Sequence, residues 1–536
     1  MYRFFSQTLF VWEIFLSKKL KILPKAKFAK VYYNIKFNKN FIIMFVPSKY
    51  QKAVYTYITK CKGNAVVDAV AGSGKSTTIV NALKIIPNDK SILFLAFNKS
   101  IVEELKKKIG NLSNVEISTL HSLGARACMK KCKCKINSGK YSQYITKRME
   151  DGTLQGEMYD KLSPADKMNW RNNIYNLFDL ARVNLVNDSK SIIDLSYKHD
   201  IDIIDNEVEV VLQLMDWGKN NITEIDFTDM IYFPNVMNIP LVKYDWVFID
   251  ECQDLNAAQR ELFLKCIKPG GRFIAVGDER QAIYGFSGAD ADSFKKLRSL
   301  PKTVKLPLSI CYRCDKDIIT LAKTIVPQIQ SRDNAELGTI NRESKIEDVK
   351  DGDMILCRIT APLIRLCMKY ISQGVKAYVK GRDIGANLCY MIDKTGEDTI
   401  DGALNAMRRE LGKIIGKLIA QKLVSNEEEA REHPRYVNMN DKVESIEAIS
   451  EGLIKSNDVI EKIKTIFSDN NGSGICLSTI HKSKGLENDR VFIICEDKMP
   501  LKGCMNIPWM AEQEWNLIYV AYTRAKHYLG FIQDFS

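Results

Sequence analysis

The stretch Ala65-Val66-Val67-Asp68-Ala69-Val70-Ala71-Gly72-Ser73-Gly74-Lys75-Ser76-Thr77 decides how the rest of the chain is read. Ala65 to Val70 is a short, mostly apolar run. A turn rich in Gly and Ser follows, and Thr77 to Leu83 continue in a helical pattern. Strand, glycine-rich turn and helix are the context in which a phosphate-binding loop works. Glycines there let backbone N–H groups close on phosphate oxygens, and the helix N-terminus adds a favourable dipole. Lys75 is the residue that reaches the β- and γ-phosphates, and the Ser76 hydroxyl is a ligand for Mg²⁺. Ala71, Gly72, Ser73, Gly74, Lys75, Ser76 and Thr77 are therefore the candidate loop for ATP with Mg²⁺. Ala69 stands where the usual GxxxxGK[ST] pattern has its first glycine. A chance Gly-rich turn is the competing reading, and the strand and helix on either side argue against it.

Two more strand ends extend this reading. Asp245 to Ile249 is an apolar strand that runs into Asp250-Glu251-Cys252-Gln253-Asp254. Alone, these acids would be a solvated helix start. Downstream of a phosphate loop they suit nucleotide hydrolysis: Asp250 holds Mg²⁺, directly or through water, and Glu251 polarises the attacking water. A third strand, Arg272 to Val276, ends in Gly277-Asp278-Glu279-Arg280-Gln281. Gln281 is the candidate for approach to the γ-phosphate. Three polar strand ends in one α/β pattern favour a shared crevice at the carboxyl edge of a parallel sheet.

Composition narrows the class. The chain has 536 residues, 46% hydrophobic and 27% charged, which fits an ordinary globular protein of three or four compact units. Its 14 Cys are too sparse and too irregular for a disulfide scaffold, so they read as reduced. Of the net charge of +13, +8 comes from residues 1–43, so the basic balance says little about a nucleic-acid partner. Those residues are rich in Phe, Ile, Lys, Tyr and Asn, and no apolar run among them reaches the ~20 residues a bilayer span needs. Met44 precedes the first domain-like sequence. Residues 1–43 therefore read as a non-native upstream extension, a basic membrane-surface tail or an ordinary N-terminal extension. Cys128, Cys132 and Cys134 lie among lysines at a spacing that fits no standard zinc site, and the segment reads as a basic, flexible surface stretch. No internal sequence repeat is evident.

The ordered segments resemble the superfamily 1 helicases of the UvrD/Rep type, with the F-box DNA helicase branch nearest in character. The resemblance runs from about Ser48 to the C-terminus, with a gap near 386–470. It rests on nine blocks in order: SKYQ (48–51), AVAGSGKST (69–77), FLAFNKSIVEEL (94–105), STLHSLGARA (118–127), VFIDECQDLN (247–256), VGDERQAIYGFSGAD (276–290), LPLSICYRC (306–314), LSTIHKSKGLENDRVFII (477–494) and EWNLIYVAYTRAKHYL (514–529). It implies an α/β fold of two RecA-like P-loop NTPase domains with mainly helical insertions. It also implies roles. Gln51 resembles the glutamine that reads the adenine edge, Tyr312 the aromatic that stacks on adenine, and Glu487 the ribose contact. Arg313 and Arg524 resemble the two arginines that neutralise transition-state charge when the domains close. Phe97, Asn98, Lys99, Thr119, His121, Ser122, Tyr284, Phe286, Thr479, His481 and Lys484 resemble contacts to a DNA track, where aromatics stack on bases and small polar or basic groups hold phosphates. Core packing competes for Phe97 and Phe286, and a structural hydrogen bond for His121.

The chain departs from the pattern in places. Ser287 follows Phe286 where the family has Arg, Thr78 stands where some relatives place an adenine-stacking Arg, and EQEWNL replaces a more usual EERRL. These touch DNA affinity and step coupling rather than the phosphate machinery. The expected layout is a first core from 44–125 and 225–310, interrupted by a helical insertion at 126–224, and a second core from 311–385 and 472–536. A short, charged helical insertion at 386–471, with a polar break from Asn426 to Asn440, interrupts the second. The resemblance implies an intracellular, monomeric ATP- and Mg²⁺-dependent motor acting on single-stranded DNA and on single/double-strand junctions, with no membrane partner. The forms HKSKGLE and YVAYTRA resemble the 3′-to-5′ branch. Two alternatives stand beside it: a nucleic-acid-gated ATPase that remodels complexes or signals without unwinding, and an RNA helicase.

Overall fold

The computed structural model describes residues 46–534 except 111, 200, 284, 286–291 and 468–473, and the residues from Lys49 onward fold as one unit. The reading of residues 1–43, and the DNA contacts expected of Tyr284 and Phe286, lie outside the described residues.

The first sheet is built from β1 (Asn64–Ala69), β2 (Ile92–Ala96) and β3 (Val115–Thr119). An inserted region follows, in which the two-residue strands β4 (Lys135–Ile136) and β5 (Glu224–Ile225) pair with each other. The sheet resumes with β6 (Tyr244–Ile249), β7 (Ile267–Gly277) and β8 (Thr303–Leu308). Its order is β3-β2-β6-β7-β1-β8, and every pairing is parallel. A parallel sheet covered on both faces needs continuous apolar strands. Ile92–Ala96 and Trp246–Ile249 supply them, buried at every position. The register sets Asp68 beside Gly277 and Leu95 beside Ile249. The phosphate loop after β1, the acids after β6 and the turn after β7 therefore emerge at one sheet edge.

The second half repeats this plan. Short strands β9 (Ile310–Cys311) and β10 (Gln330–Ser331) pair with each other. They precede β11 (Thr339–Ser344), β12 (Met354–Cys357), β13 (Ala377–Lys380), β14 (Ile475–Thr479), β15 (Asn488–Ile494) and β16 (Ala525–Ile532). The order is β11-β16-β15-β12-β14-β13, again all parallel. Two parallel α/β cores, each with helices, realise the RecA-like fold class that the sequence implied.

The insertions refine the expected layout. The first has its own apolar centre around Tyr141, Trp170, Phe178 and Leu214, and this centre continues through Ile225, Met230, Phe233 and Ile239. Its packing thus extends past the expected boundary at 224. The Cys128 and Cys134 side chains belong to this centre, while Lys130, Lys131, Lys133 and Lys135 are exposed. Half of the expected surface stretch is therefore a helix end and turn anchored by its sulfurs. The described part of the second insertion, residues 386–467, is mostly helical, but it is no separate lobe. Leu388, Ile392, Leu404, Val443, Ile446 and Ile463 share one apolar cluster with Ile355, Leu477, Phe492 and Ile494 of the second sheet. These helices fill the crossover from β13 to β14. The expected break at 426–440 is narrower than the polar composition suggested. Asn426 Oδ1 caps the helix Glu427–Glu432 by accepting from the Glu429 N–H at 2.9 Å, and Pro434 opens the helix Pro434–Ser450 from its first turn.

Candidate active site

The helix Lys75–Lys84 starts from Gly74 in the left-handed region at φ 76°, two residues after Gly72 at φ 64°. Glycine takes this backbone without the strain a Cβ brings. The space is also closed to a larger residue: a Cβ on Gly72 would sit 2.6 Å from Arg313 Cβ. The turn keeps the buried Ser73 Oγ without any hydrogen-bond partner. A buried orphan hydroxyl inside a glycine turn at a helix N-terminus fits an absent anion. Thr77 points outward and is exposed, while Ser76 is partly buried.

Lys75 Nζ lies 2.6 Å from Glu251 Oε1. Gln253 Nε2 donates to the other oxygen, Oε2, at 2.6 Å. Glu251 itself sits at φ 51°, ψ 41°, a left-handed conformation that costs a non-glycine residue about 1 kcal/mol. Burial opposes its charge, but Lys75 and then Lys484 outweigh burial and hold the carboxyl down at about 2. Asp250 beside it is pushed up to about 6 by burial and by Glu251, against the pull of Lys75. Burial likewise lifts Asp254 and Asp278 to about 6, opposed by Lys484 and Lys75 respectively. Four carboxylates around two lysines make a site with room for more positive charge. A divalent cation held by Ser76 and Asp250 fits that donor set.

The adenine side forms around the same turn. Gln51 Nε2 donates to Thr78 Oγ1 at 3.0 Å, and Thr78 Oγ1 donates to the Gly74 carbonyl at 2.9 Å. Thr78 thus positions the glutamine where some relatives place an arginine. Tyr312 is part-exposed, its N–H donates to the Gly72 carbonyl at 2.8 Å, and its ring lies within 4 Å of the space a Gly74 Cβ would take. Gln51, Tyr312 and the loop are brought together. Glu487 is only partly so, because Arg313 Nε donates to its Oε2 at 2.6 Å and Lys526 lies 3.5 Å from Oε1. Burial raises its carboxyl, but Arg313 and Lys526 hold it below the usual range.

Neither arginine is hydrogen-bonded to the phosphate loop. Besides Glu487, Arg313 donates to the Thr523 carbonyl at 3.2 Å. Arg524 is buried and donates to the carbonyls of Val520 at 3.0 Å and Leu486 at 2.8 Å. Burial, with Arg313 nearby, lowers it to about 10. Gln281 reaches the site differently: its Nε2 donates to Asp278 Oδ2 at 2.7 Å.

The residues matched to a DNA track differ in their settings. Phe97 is half-exposed at a strand end, and Lys99 beside it is exposed. Asn98 is occupied as a helix cap, accepting from the Ile101 N–H at 3.0 Å. Thr119 and Thr479 stand at the ends of β3 and β14, both buried, and each caps the next helix, accepting from Ser122 N–H at 3.1 Å and Lys482 N–H at 3.4 Å. Thr119 also donates to Ser122 Oγ at 2.9 Å. His121 is lowered from its ordinary value by burial, and His481 more so, by burial and then Arg358, Lys482 and Lys484. Thr479 and His481 line a cavity of about 410 Å³ with Arg358, Asn387 and Trp509. The Lys484 ammonium pairs with Asp254 at 2.6 Å and donates to the Gln281 carbonyl at 2.6 Å.

Sequence reading missed Gln253, Asp254, Asp278 and Tyr519. All four lie inside the quoted blocks, and Tyr519 carries the one hydroxyl in the run Leu517 to Ala521. Its Oη accepts from the Ala71 N–H at 2.8 Å.

Two parallel α/β cores that meet over a phosphate loop, an acidic pair and an adenine-side glutamine define the two-core P-loop NTPase fold. The sequence model of the UvrD/REP helicase N-terminal domain matches residues 50–302, and that of the UvrD-like helicase C-terminal domain matches 400–534. The chain belongs to the UvrD/REP helicase family. Among similar proteins are F-box DNA helicase protein 1 of Schizosaccharomyces pombe, 23% identical over 86% of this chain and 54% of its own length, and F-box DNA helicase 1 of Gallus gallus, 24% identical over 87% and 47%. The ATP-dependent DNA helicase PcrA of Staphylococcus epidermidis is 24% identical over 56% of this chain and 42% of its own. The chain spans about half the length of the curated relatives it matches.

Proposed function

We propose that this protein is an ATP- and Mg²⁺-dependent DNA motor that moves on single-stranded DNA and separates strands at single/double-strand junctions, inside the cell, in repair, recombination or replication. The observation that carries the reading is the shared nucleotide site. The first core supplies the loop, Lys75, Asp250, Glu251 and Gln281, while the second supplies Tyr312, Arg313 and the contacts that hold the cores together. Bound Mg²⁺ supplies charge for the leaving phosphate oxygens.

The rest is done by the chain. Lys75 exchanges Glu251 for a phosphate oxygen, which frees one carboxylate oxygen to take a proton from water. Gln253 keeps the other oxygen oriented. Gln281 remains beside Asp278, and Arg313 leaves Glu487 for the γ-phosphate when ribose occupies Glu487. Hydrolysis then depends on how the two cores are seated, and the strand ends at Thr119 and Thr479 move with them. Alternating grip by those two ends gives net movement along a strand.

Polarity rests on resemblance, and we assign it 3′-to-5′. Strand displacement on duplexes with a 3′ or a 5′ single-stranded tail tests it, with unwinding expected only from the 3′ tail. The merging of 386–467 into the second core favours one rival, an ATPase that moves on or remodels DNA without unwinding. Translocation without displacement on either tail would select that rival. Stimulation by poly-U equal to that by poly-dT would move the substrate to RNA.

A further inference from the structure

We infer that Tyr519 is a positioning residue for ATP hydrolysis: from the second core, its hydroxyl aligns the first core's phosphate loop and Gln281. Tyr519 is fully buried in the helix Pro508–Tyr522. Its Oη accepts from the Ala71 N–H at 2.8 Å and donates to Asp278 Oδ2 at 3.3 Å. The same carboxylate oxygen accepts from Gln281 Nε2 at 2.7 Å. The Asp278 N–H donates to Gln253 Oε1 at 3.1 Å, and Gln253 Nε2 donates to Glu251 Oε2 at 2.6 Å. One hydroxyl thus stands at the head of two short chains of hydrogen bonds, one to the γ-phosphate glutamine and one to the carboxylate that activates water.

The helix is set for this. Glu512, Asn516 and Tyr519 are spaced i, i+4 and i+7, so they share one face. Glu512 pairs with Arg280 at 3.4 Å, Asn516 Nδ2 donates to the Ala282 carbonyl at 3.0 Å, and Tyr519 takes Asp278. The face thus touches the segment that carries Gln281 at residues 278, 280 and 282. Unlike Arg313 and Arg524, whose hydrogen bonds go to Glu487, Thr523, Val520 and Leu486, this contact already reaches the phosphate loop. A phenylalanine would fill the same volume and remove only the hydroxyl. The buried Ala71 N–H would then lack its acceptor, and Asp278 would be free to take Gln281 elsewhere.

The inference rests on the proposed ATPase activity, so wild type and variants are compared in one experiment on the full chain. For Tyr519→Phe, nucleotide binding and the KM for ATP are expected within about 3-fold of wild type, with DNA-stimulated kcat lower by about 10-fold, as expected for an orphaned buried polar group. Asp278→Asn is expected to lower kcat comparably, and the double variant to lose less than the product of the two single losses, because both act in part through the one link to Gln281. Turnover of Tyr519→Phe within 2-fold of wild type, or additive losses in the double variant, overturns the inference. If Tyr519→Phe does not fold, Asp278→Asn alone carries the test: a lower kcat at unchanged KM is expected, and unchanged kcat overturns the inference. A wild type that hydrolyses no ATP with or without DNA refutes the functional reading itself, a result distinct from active wild type with an active Tyr519→Phe.

Discussion

Lys75 and Glu251 hold each other at 2.6 Å in a site where neither is well solvated. Removing one leaves the other buried and unpaired, which is costly. Lys75→Ala is therefore expected to abolish phosphate release and to lower the melting temperature; turnover at the wild-type rate would refute the loop assignment. Asp250 offers a pH test. Its folded value of about 6 lies above its ordinary 3.8, so the folded state binds this proton more tightly than the unfolded chain. The stability it contributes is full below pH 4 and is lost as pH rises through 6. Asp250→Asn is therefore expected to stabilise the nucleotide-free protein by about 1–3 kcal/mol at pH 7.5, with the difference shrinking by pH 5. Chemical denaturation at the two pH values measures this, and an equal difference at both would contradict it. Most of these residues were legible from strand-end position alone, since β1, β6 and β7 each deliver polar groups to one edge. The left-handed φ of Glu251 and the partners of Arg524 were not, because local sequence does not fix which carbonyl a guanidinium meets.

Elements were legible where one pattern ran long, as in the parallel strands and in helix Ile400–Ala420. Short polar stretches misled, because Asn426 and Pro434 begin helices there rather than breaking them. One repeat went unnoticed. Ser118-Thr119-Leu120-His121 and Ser478-Thr479-Ile480-His481 are nearly the same sequence, and each ends a parallel strand with its Thr as helix cap. A four-residue echo is weak in sequence, yet in both cores it joins a parallel strand to the helix that follows. Helix contact also restricts residue size at one point. A Cβ on Gly124 would fall 1.8 Å from the Met230 carbonyl oxygen, where the helix Leu120–Cys132 meets Asp229–Val236. Gly124→Ala is expected to destabilise by about 1–3 kcal/mol or more, since backbone must shift. A melting temperature equal to wild type would show that the two helices are not so closely packed.

The two cores are joined by apolar and ionic contacts at once. Val70, Ala71 and Ile283 of the first core pack within the apolar cluster of the second. Lys484 crosses to Asp254 in a pair almost sealed from solvent. Lys484→Met is expected to cost about 3–5 kcal/mol by leaving Asp254 buried and uncompensated, and Asp254→Asn in the same chain should restore part of it. Thermal melts of the single and double variants measure this; a neutral single variant would mean the pair does not form. The insertions also meet. Asp202 of the first accepts from Gln421 Nε2 at 2.8 Å and pairs with Arg435 at 3.4 Å. Such long-range pairings follow from how the halves dock, which no local pattern encodes. The absence of a separate second lobe was equally hidden, because the apolar stripes of those helices do not reveal which sheet they cover. Coupling between nucleotide and DNA through the seated cores is the central claim. ATP hydrolysis by the full chain, with and without single-stranded DNA at fixed salt, tests it most directly. Stimulation by about 10-fold or more, lost in Lys75→Ala, is expected of a closure-gated motor; hydrolysis at one rate regardless of DNA would contradict it.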